Sequence, residues 1–251
     1  MELNELKEFL DFKADQYENP SFLEHDPIQL PHKFSRKEDI EIIGFLMATI
    51  AWGNRKSIIN SGNKLMQIMG ESPYDFIMNY QSSRIETKFV HRTFNSSDLD
   101  FFLQSLHHIY QNKGGLEQVF NPINEKNCKA RIEHFRRNFM EIQHAQRSEK
   151  HISNPQKNSA CKRIVMFLRW MVRDEKKGVD FGLWKSISTS ELYIPLDVHT
   201  ATISRKLKMI NRIQNDWKTS EELIEICREF DANDPAKYDF ALFGLGAFEK
   251  F

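Results

Sequence analysis

Apolar residues along this chain recur at helical spacing. The clearest case is ACKRIVMFLRWMVR, residues 160–173, where Ile164, Val165, Leu168, Met171 and Val172 form one stripe. On another face Lys162, Met166, Arg169 and Arg173 follow at intervals of 4, 3 and 4. The pattern predicts a helix with one buried side and a basic stripe that begins in its first turn. Ile40, Ile43, Met47, Ile50 and Ala51 mark one face of a second core helix, and Ser35-Arg36-Lys37-Glu38 before it reads as a capping box. Further helices are expected over 2–17, 56–69, 73–80, 98–111, 115–120 and 126–143, with a short one inside 174–193. Pro195 interrupts the chain and Asp197 then opens a helix over 198–208; a last helix starts with Asp234 as cap and Pro235 in its first turn. The stretch 144–158, HAQRSEKHISNPQKN, has no apolar period and predicts a loop broken at Asn154-Pro155. No repeat, low-complexity tract or strand stands out.

Composition points the same way. Glycine (10) and proline (8) are sparse in 251 residues, which favours an all-α protein. That length accommodates one large domain or two lobes. No run of 18 apolar residues occurs and the N-terminus is charged and amphipathic, so the expectation is a cytoplasmic protein with no membrane association. The three cysteines, Cys128, Cys161 and Cys227, have no CxxC spacing and cannot supply four thiolates to an iron–sulfur cluster; they read as buried small hydrophobes. His151, His199 and the pair His107-His108 show no ligand spacing, so no metal or cofactor is expected. His25-Asp26 raises a metal-dependent phosphohydrolase, but that dipeptide lies in a proline-containing loop rather than on a helix. Formal net charge is zero, yet residues 124–177 hold 14 lysines and arginines against 6 acidic residues, a balance of +8. Such a local excess on a neutral chain is a candidate phosphate-binding face.

Two residues carry candidate chemistry. Lys162 sits in the first turn of its helix, facing the positive end of the helix dipole, which disfavours the ammonium form. A nucleophilic lysine needs that form disfavoured. Asp197 stands at the mouth of another helix. Where two such mouths meet, they make an amine nucleophile with a carboxylate partner. Taken singly, each residue is also an ordinary first-turn lysine and an ordinary helix cap.

SACKRIVMFLRWM followed by IPLDVHTATISRKL resembles the lysine helix and the aspartate motif of the helix-hairpin-helix DNA glycosylases, the superfamily of endonuclease III and the 8-oxoguanine glycosylases. The chain as a whole is similar to a bacterial family of about this length associated with that superfamily. The resemblance spans about residues 38–250 and is concentrated in some thirty of them. It implies a two-lobed helical fold, with a central lobe over 38–175 ending in the lysine-bearing helix and a second lobe built from 1–37 and 176–251. It implies a base-excision glycosylase with abasic-site lyase activity, in which Lys162 attacks the sugar and Asp197 stabilises the charge that develops. The implied partner is double-stranded DNA carrying a damaged base such as 8-oxoguanine, bound by a monomer in the cytoplasm at the nucleoid. Asn54 in FLMATIAWGNRKSI matches the residue that fills the gap left by a flipped base; Phe240 and Phe243 in DPAKYDFALFGLGAF match the wall of the base pocket. Arg163, Arg169, Arg173, His199 and the basic 124–150 region are the implied DNA contacts.

The chain also departs from the pattern. The hairpin L-P-G-x-G is absent, with SNPQKNSACK in its place, and lysine and aspartate lie 35 residues apart, farther than in the endonuclease III branch. Both features look more like the archaeal 8-oxoguanine glycosylases, which also lack the cluster cysteines. The alternative class is a helical nucleic-acid-binding protein that kept the fold without the activity.

Overall fold

The structure, a computed structural model, describes residues 2–81, 88–122, 127–249 and 251. It is mostly helical. Its contacts divide it into two units, one made of Met1–Glu24 with Asn154–Phe251, the other of His25–Ser153.

The central unit is organised around α2 (Lys37–Ile50), followed by α3 (Arg55–Met69) and α4 (Pro73–Met78). A short antiparallel ladder, β1 (Val90–His91) with β2 (Phe94–Asn95), leads into α5 (Ser96–Asn112), α6 (Leu116–Val119) and α7 (Cys128–Phe139). The sequence predicts one buried face for α2, but every residue from Asp39 to Ile50 is buried. It is the central helix of its unit, wrapped by phenylalanines: Phe45 packs against Phe102, Phe135 and Phe139. Its buried acid Glu41 accepts the hydroxyl of Tyr110 at 2.7 Å. The expected capping box does not form. Arg36 is the N-cap residue, without a side-chain cap, and the Glu38 carboxylate is taken by the Arg36 guanidinium. Residues 124–126 of the basic region, with the expected helix start at 126, lie outside the described residues.

The terminal unit comprises α1 (Leu3–Tyr17), α8 (Lys162–Val172), α9 (Val198–Lys206), α10 (Trp217–Phe230) and α11 (Tyr238–Gly244), the last continued by a π-helical turn over Leu245–Glu249. Leu6, Leu10 and Ala14 of α1 join Ile203, Leu223, Ile224, Tyr238, Ala241 and Leu242 in its core. The α8 helix belongs here rather than with the central lobe of 38–175 that the resemblance implies. Its polar stripe is bound by acids from the terminal segments, and its last carbonyls accept the amides of Phe181 and Trp184.

Three local expectations change. The helix inside 174–193 reduces to one 3-10 turn, Thr189–Glu191, closed by Ser188 and Glu191 in a capping box. The loop 144–158 contains two 3-10 turns, Gln146–His151 and Pro155–Lys157. Helix α10 lies where the sequence reading assigns no element, although Asp216 caps it and Trp217, Leu223, Ile224, Cys227 and Phe230 fall on its buried side.

Candidate active site

Lys162 owes its position to an unusual turn. Two non-glycine residues, Asn158 (φ 60°) and Cys161 (φ 49°), take left-handed backbone conformations where the resemblance leads one to expect hairpin glycines. Such a conformation brings Cβ close to backbone oxygen and persists only where the surroundings enforce it. Here they do. The Asn158 side chain donates to Asp216 Oδ2 at 2.8 Å, the Trp217 amide donates to the Asn158 carbonyl at 3.1 Å, and Ser159 bridges to Asp216. The turn is thus clamped to the mouth of α10. Cys161, buried and in no disulfide, then presents its carbonyl to the amides of Ile164 and Val165, which fixes Lys162 as the first helical residue.

Asp197 is set by the buried run Ile194-Pro195-Leu196 and caps α9, its Oδ1 accepting from the Thr200 amide at 2.8 Å. Its Oδ2 lies 3.6 Å from Lys162 Nζ. The two oxygens therefore do different things, one closing a helix and the other facing the amine. The lysine side chain is 34% exposed and the aspartate 15%, so the pair is reachable from solvent yet shielded. Both groups stand at the N-terminal mouth of a helix, where the amine and the carboxylate face each other.

The rest of the basic stripe turns inward. Arg169 is buried, its Nη1 bound to Asp239 Oδ2 and its Nε 3.3 Å from Asp180 Oδ1. Arg173 is also buried. It binds Asp234 through Nε and Nη2, and Glu18 (2.5 Å) and Asp180 (2.8 Å) through Nη1. Neither guanidinium is available to a DNA phosphate, which corrects the roles that the resemblance gave them. Helical spacing identified their common face correctly, but the occupants opposite are carboxylates of the same unit. Asp234, expected as a helix cap, makes no cap bond and serves Arg173 instead. Arg163, off that face, is half-buried, and burial pulls its guanidinium down to about 10.

Phe240 is also corrected. It is fully buried, with the Arg169 guanidinium 4.4 Å from its ring centroid and Phe22 edge-on at 5.2 Å, so it is core and cannot wall an open pocket. Phe243 is partly exposed and meets the exposed His199 ring edge-on at 6.2 Å, with Phe22 and Phe248 also in contact. His199 is the second residue of α9, so Phe243 and His199 do gather near Asp197. Asn54 belongs to the central unit, where it is exposed and caps α3 by accepting from the Ser57 amide at 3.3 Å. The acids Asp180, Asp234, Asp239 and Glu18 were missed. Their one sequence signal is the Asp234-Pro235-Ala236-Lys237-Tyr238-Asp239 run, where the second aspartate falls on an otherwise apolar helix.

The site defines a helical protein with a lysine–aspartate pair at two helix mouths. Residues 26–248 match the model of a protein family of unknown function, DUF2400, and the chain belongs to that family. No curated protein and no solved structure matches the chain. No helix among the described residues is long and apolar enough to cross a membrane.

Proposed function

We propose that this protein is a DNA base-excision glycosylase with abasic-site lyase activity. The observation that carries the reading is the 3.6 Å approach of Lys162 to Asp197, each at a helix mouth, with the second oxygen of Asp197 spent on its own helix. The PLDVHT context of that aspartate supports it. In this account a damaged base, such as 8-oxoguanine, leaves the duplex stack and is read by stacking and edge contacts. Neutral Lys162 attacks the sugar C1′ while the glycosidic bond breaks. The base departs with the bonding pair and takes up a proton, and Asp197 stabilises the positive charge that develops on the sugar. Loss of the amine proton and opening of the ring give a Schiff base, from which β-elimination cuts the strand. Phe243 and His199, beside Asp197, are the side chains offered to the base and its flanking phosphate. That substrate places the protein at the nucleoid in the cytoplasm.

Borohydride trapping tests the reading. Incubated with a panel of oxidised-base and abasic duplexes, the wild type becomes covalently attached to DNA and Lys162→Gln does not. No trapping on any member of the panel contradicts it. The second reading, a helical nucleic-acid-binding protein without catalysis, draws on the loss of the hairpin glycines and on the internal pairing of Arg169 and Arg173. It predicts salt-sensitive DNA binding that neither Lys162→Gln nor Asp197→Asn alters.

A further inference from the structure

Ile213, in the loop that joins α9 to α10, is 84% exposed, more than any other large apolar side chain among the described residues. A lone exposed isoleucine is ordinary where its loop can fold it away. This loop is braced. Lys208 (φ 59°) turns the chain left-handed out of α9, and the Met209 amide closes the turn on the Ser204 carbonyl at 2.8 Å. Arg205 then gathers the segment that follows. Its Nε donates to the Arg212 carbonyl at 2.7 Å, and its Nη2 to the carbonyls of Ile213 (2.8 Å) and Gln214 (3.3 Å) and to Asn215 Oδ1 (2.7 Å). The Thr219 hydroxyl donates to the Gln214 carbonyl at 2.6 Å, and the Arg212 guanidinium to Asp216 at 2.7 Å. The carbonyls of Ile213 and of both its neighbours are therefore bonded within the unit, and the side chain is held outward.

The flanks of this tip are basic. Residues 205–218 hold five cations against one acid, Asp216, which Arg212 already binds; Lys206, Lys208 and Lys218 are exposed. An apolar tip flanked by lysines fits a partner that presents phosphates with an apolar stack between them, a nucleic-acid duplex. A protein interface would set such a tip among uncharged neighbours, since lysine is depleted there. The loop is also tied to the reacting pair. Asp216 Oδ2 accepts from Asn158 at 2.8 Å, and the Trp217 amide donates to the Asn158 carbonyl at 3.1 Å. Ile213 thus stands three residues before the clamp on the turn that sets Lys162.

We propose that Ile213 is a wedge that enters the base stack of duplex DNA beside the lesion. Parting two stacked bases costs free energy, which contacts of the flanking lysines with phosphates offset. The parted stack eases the exit of the damaged base from the duplex. The inference rests on the reading of Lys162 and Asp197 as acting on DNA, but insertion of the wedge is measured without the covalent step.

The probe is a short duplex carrying tetrahydrofuran, an abasic analogue without an aldehyde, with 2-aminopurine beside it; the same labelled oligonucleotide is also used single-stranded. The full chain brightens the 2-aminopurine of the duplex as its neighbour unstacks. Ile213→Ala abolishes that rise and binds the duplex about tenfold more weakly, while its affinity for the single strand, which has no stack to part, equals that of the wild type. Ile213→Leu restores both. A side chain this exposed contributes little to the fold, so the variants share the urea midpoint of the wild type. Equal duplex affinity in wild type and Ile213→Ala, or an equal loss on duplex and single strand, overturns the wedge. So does Ile213-dependent binding to phosphatidylglycerol vesicles with none to the duplex. An Ile213-dependent rise with no borohydride trapping on an aldehydic abasic duplex overturns the glycosylase reading and leaves the wedge standing. Trapping with a 2-aminopurine rise that Ile213→Ala leaves unaltered overturns the wedge alone.

Discussion

Asp197 divides its carboxylate between a backbone amide and an amine, and the two roles separate by substitution. Asp197→Ala removes the cap of α9 and costs about 1 kcal/mol, read as a lower urea midpoint. Asp197→Asn keeps an acceptor for the Thr200 amide, so its midpoint stays near that of the wild type while trapping falls. Equal loss of stability in both variants contradicts this division. Arg173 offers the opposite case. Its removal takes the guanidinium from buried Glu18 and leaves Arg169 alone to serve Asp180, so Arg173→Met is expected to destabilise by about 3–5 kcal/mol. It should leave the salt dependence of DNA binding unchanged, because no phosphate contact is lost. The sequence was informative about Lys162 and Asp197 because a helix mouth is defined by local signals: a proline, a cap and the onset of an apolar stripe. It was uninformative about Arg169, Arg173 and Phe240 because their surroundings come from residues far along the chain. Periodicity tells which face a side chain occupies and says nothing of what stands opposite.

At the level of elements, the segment before α8 shows how a left-handed turn without glycine is held. Asn158 and Cys161 occupy left-handed conformations, and the side chain of Asn158 is tied to Asp216. Asn158→Ala loses that bond and places Cβ of a residue with no compensating polar group in the left-handed region, a combined cost on the order of 1–2 kcal/mol by chemical denaturation. A substitution as well tolerated as an ordinary exposed asparagine change would show that the turn is not clamped. Helix α10, which supplies Asp216, was legible in principle from its cap and apolar spacing. The π-helical turn at Leu245–Glu249 was not, since a single extra residue per turn leaves no reliable mark in an apolar pattern. It brings Gly246 against His199, where an added Cβ would lie 2.9 Å from the His199 Cβ, so Gly246 allows the chain end to approach the mouth of α9.

For the whole molecule, the +8 balance of residues 124–177 gives a misleading picture of its surface. Arg131 is buried on the Phe120 carbonyl, Arg136 pairs with Glu149, Arg147 with Asp98, and Arg169 and Arg173 face inward. Much of the excess is structural, and a linear charge count could not reveal it. Acid–base behaviour follows from the same burial. The Asp239 carboxyl is raised in the folded state, so its stabilising contribution is present below the ordinary carboxyl value of 3.8 and is lost as pH rises through about 6. Asp98, desolvated but held low by Ser148, Asn95, His151 and Arg147, has the opposite sign: its contribution is present above the ordinary value and lost as pH falls through its lowered one. The stability of the wild type relative to Asp239→Asn should therefore fall from pH 4 to pH 7 in urea titrations, whereas a constant difference contradicts the burial of an ionisable acid there. The central claim, that Lys162 is a nucleophile, is tested most directly by locating the covalent bond. After borohydride reduction on an abasic duplex and proteolysis, mass spectrometry should find the sugar fragment on Lys162; an adduct confined to another lysine or to the N-terminal amine would contradict it.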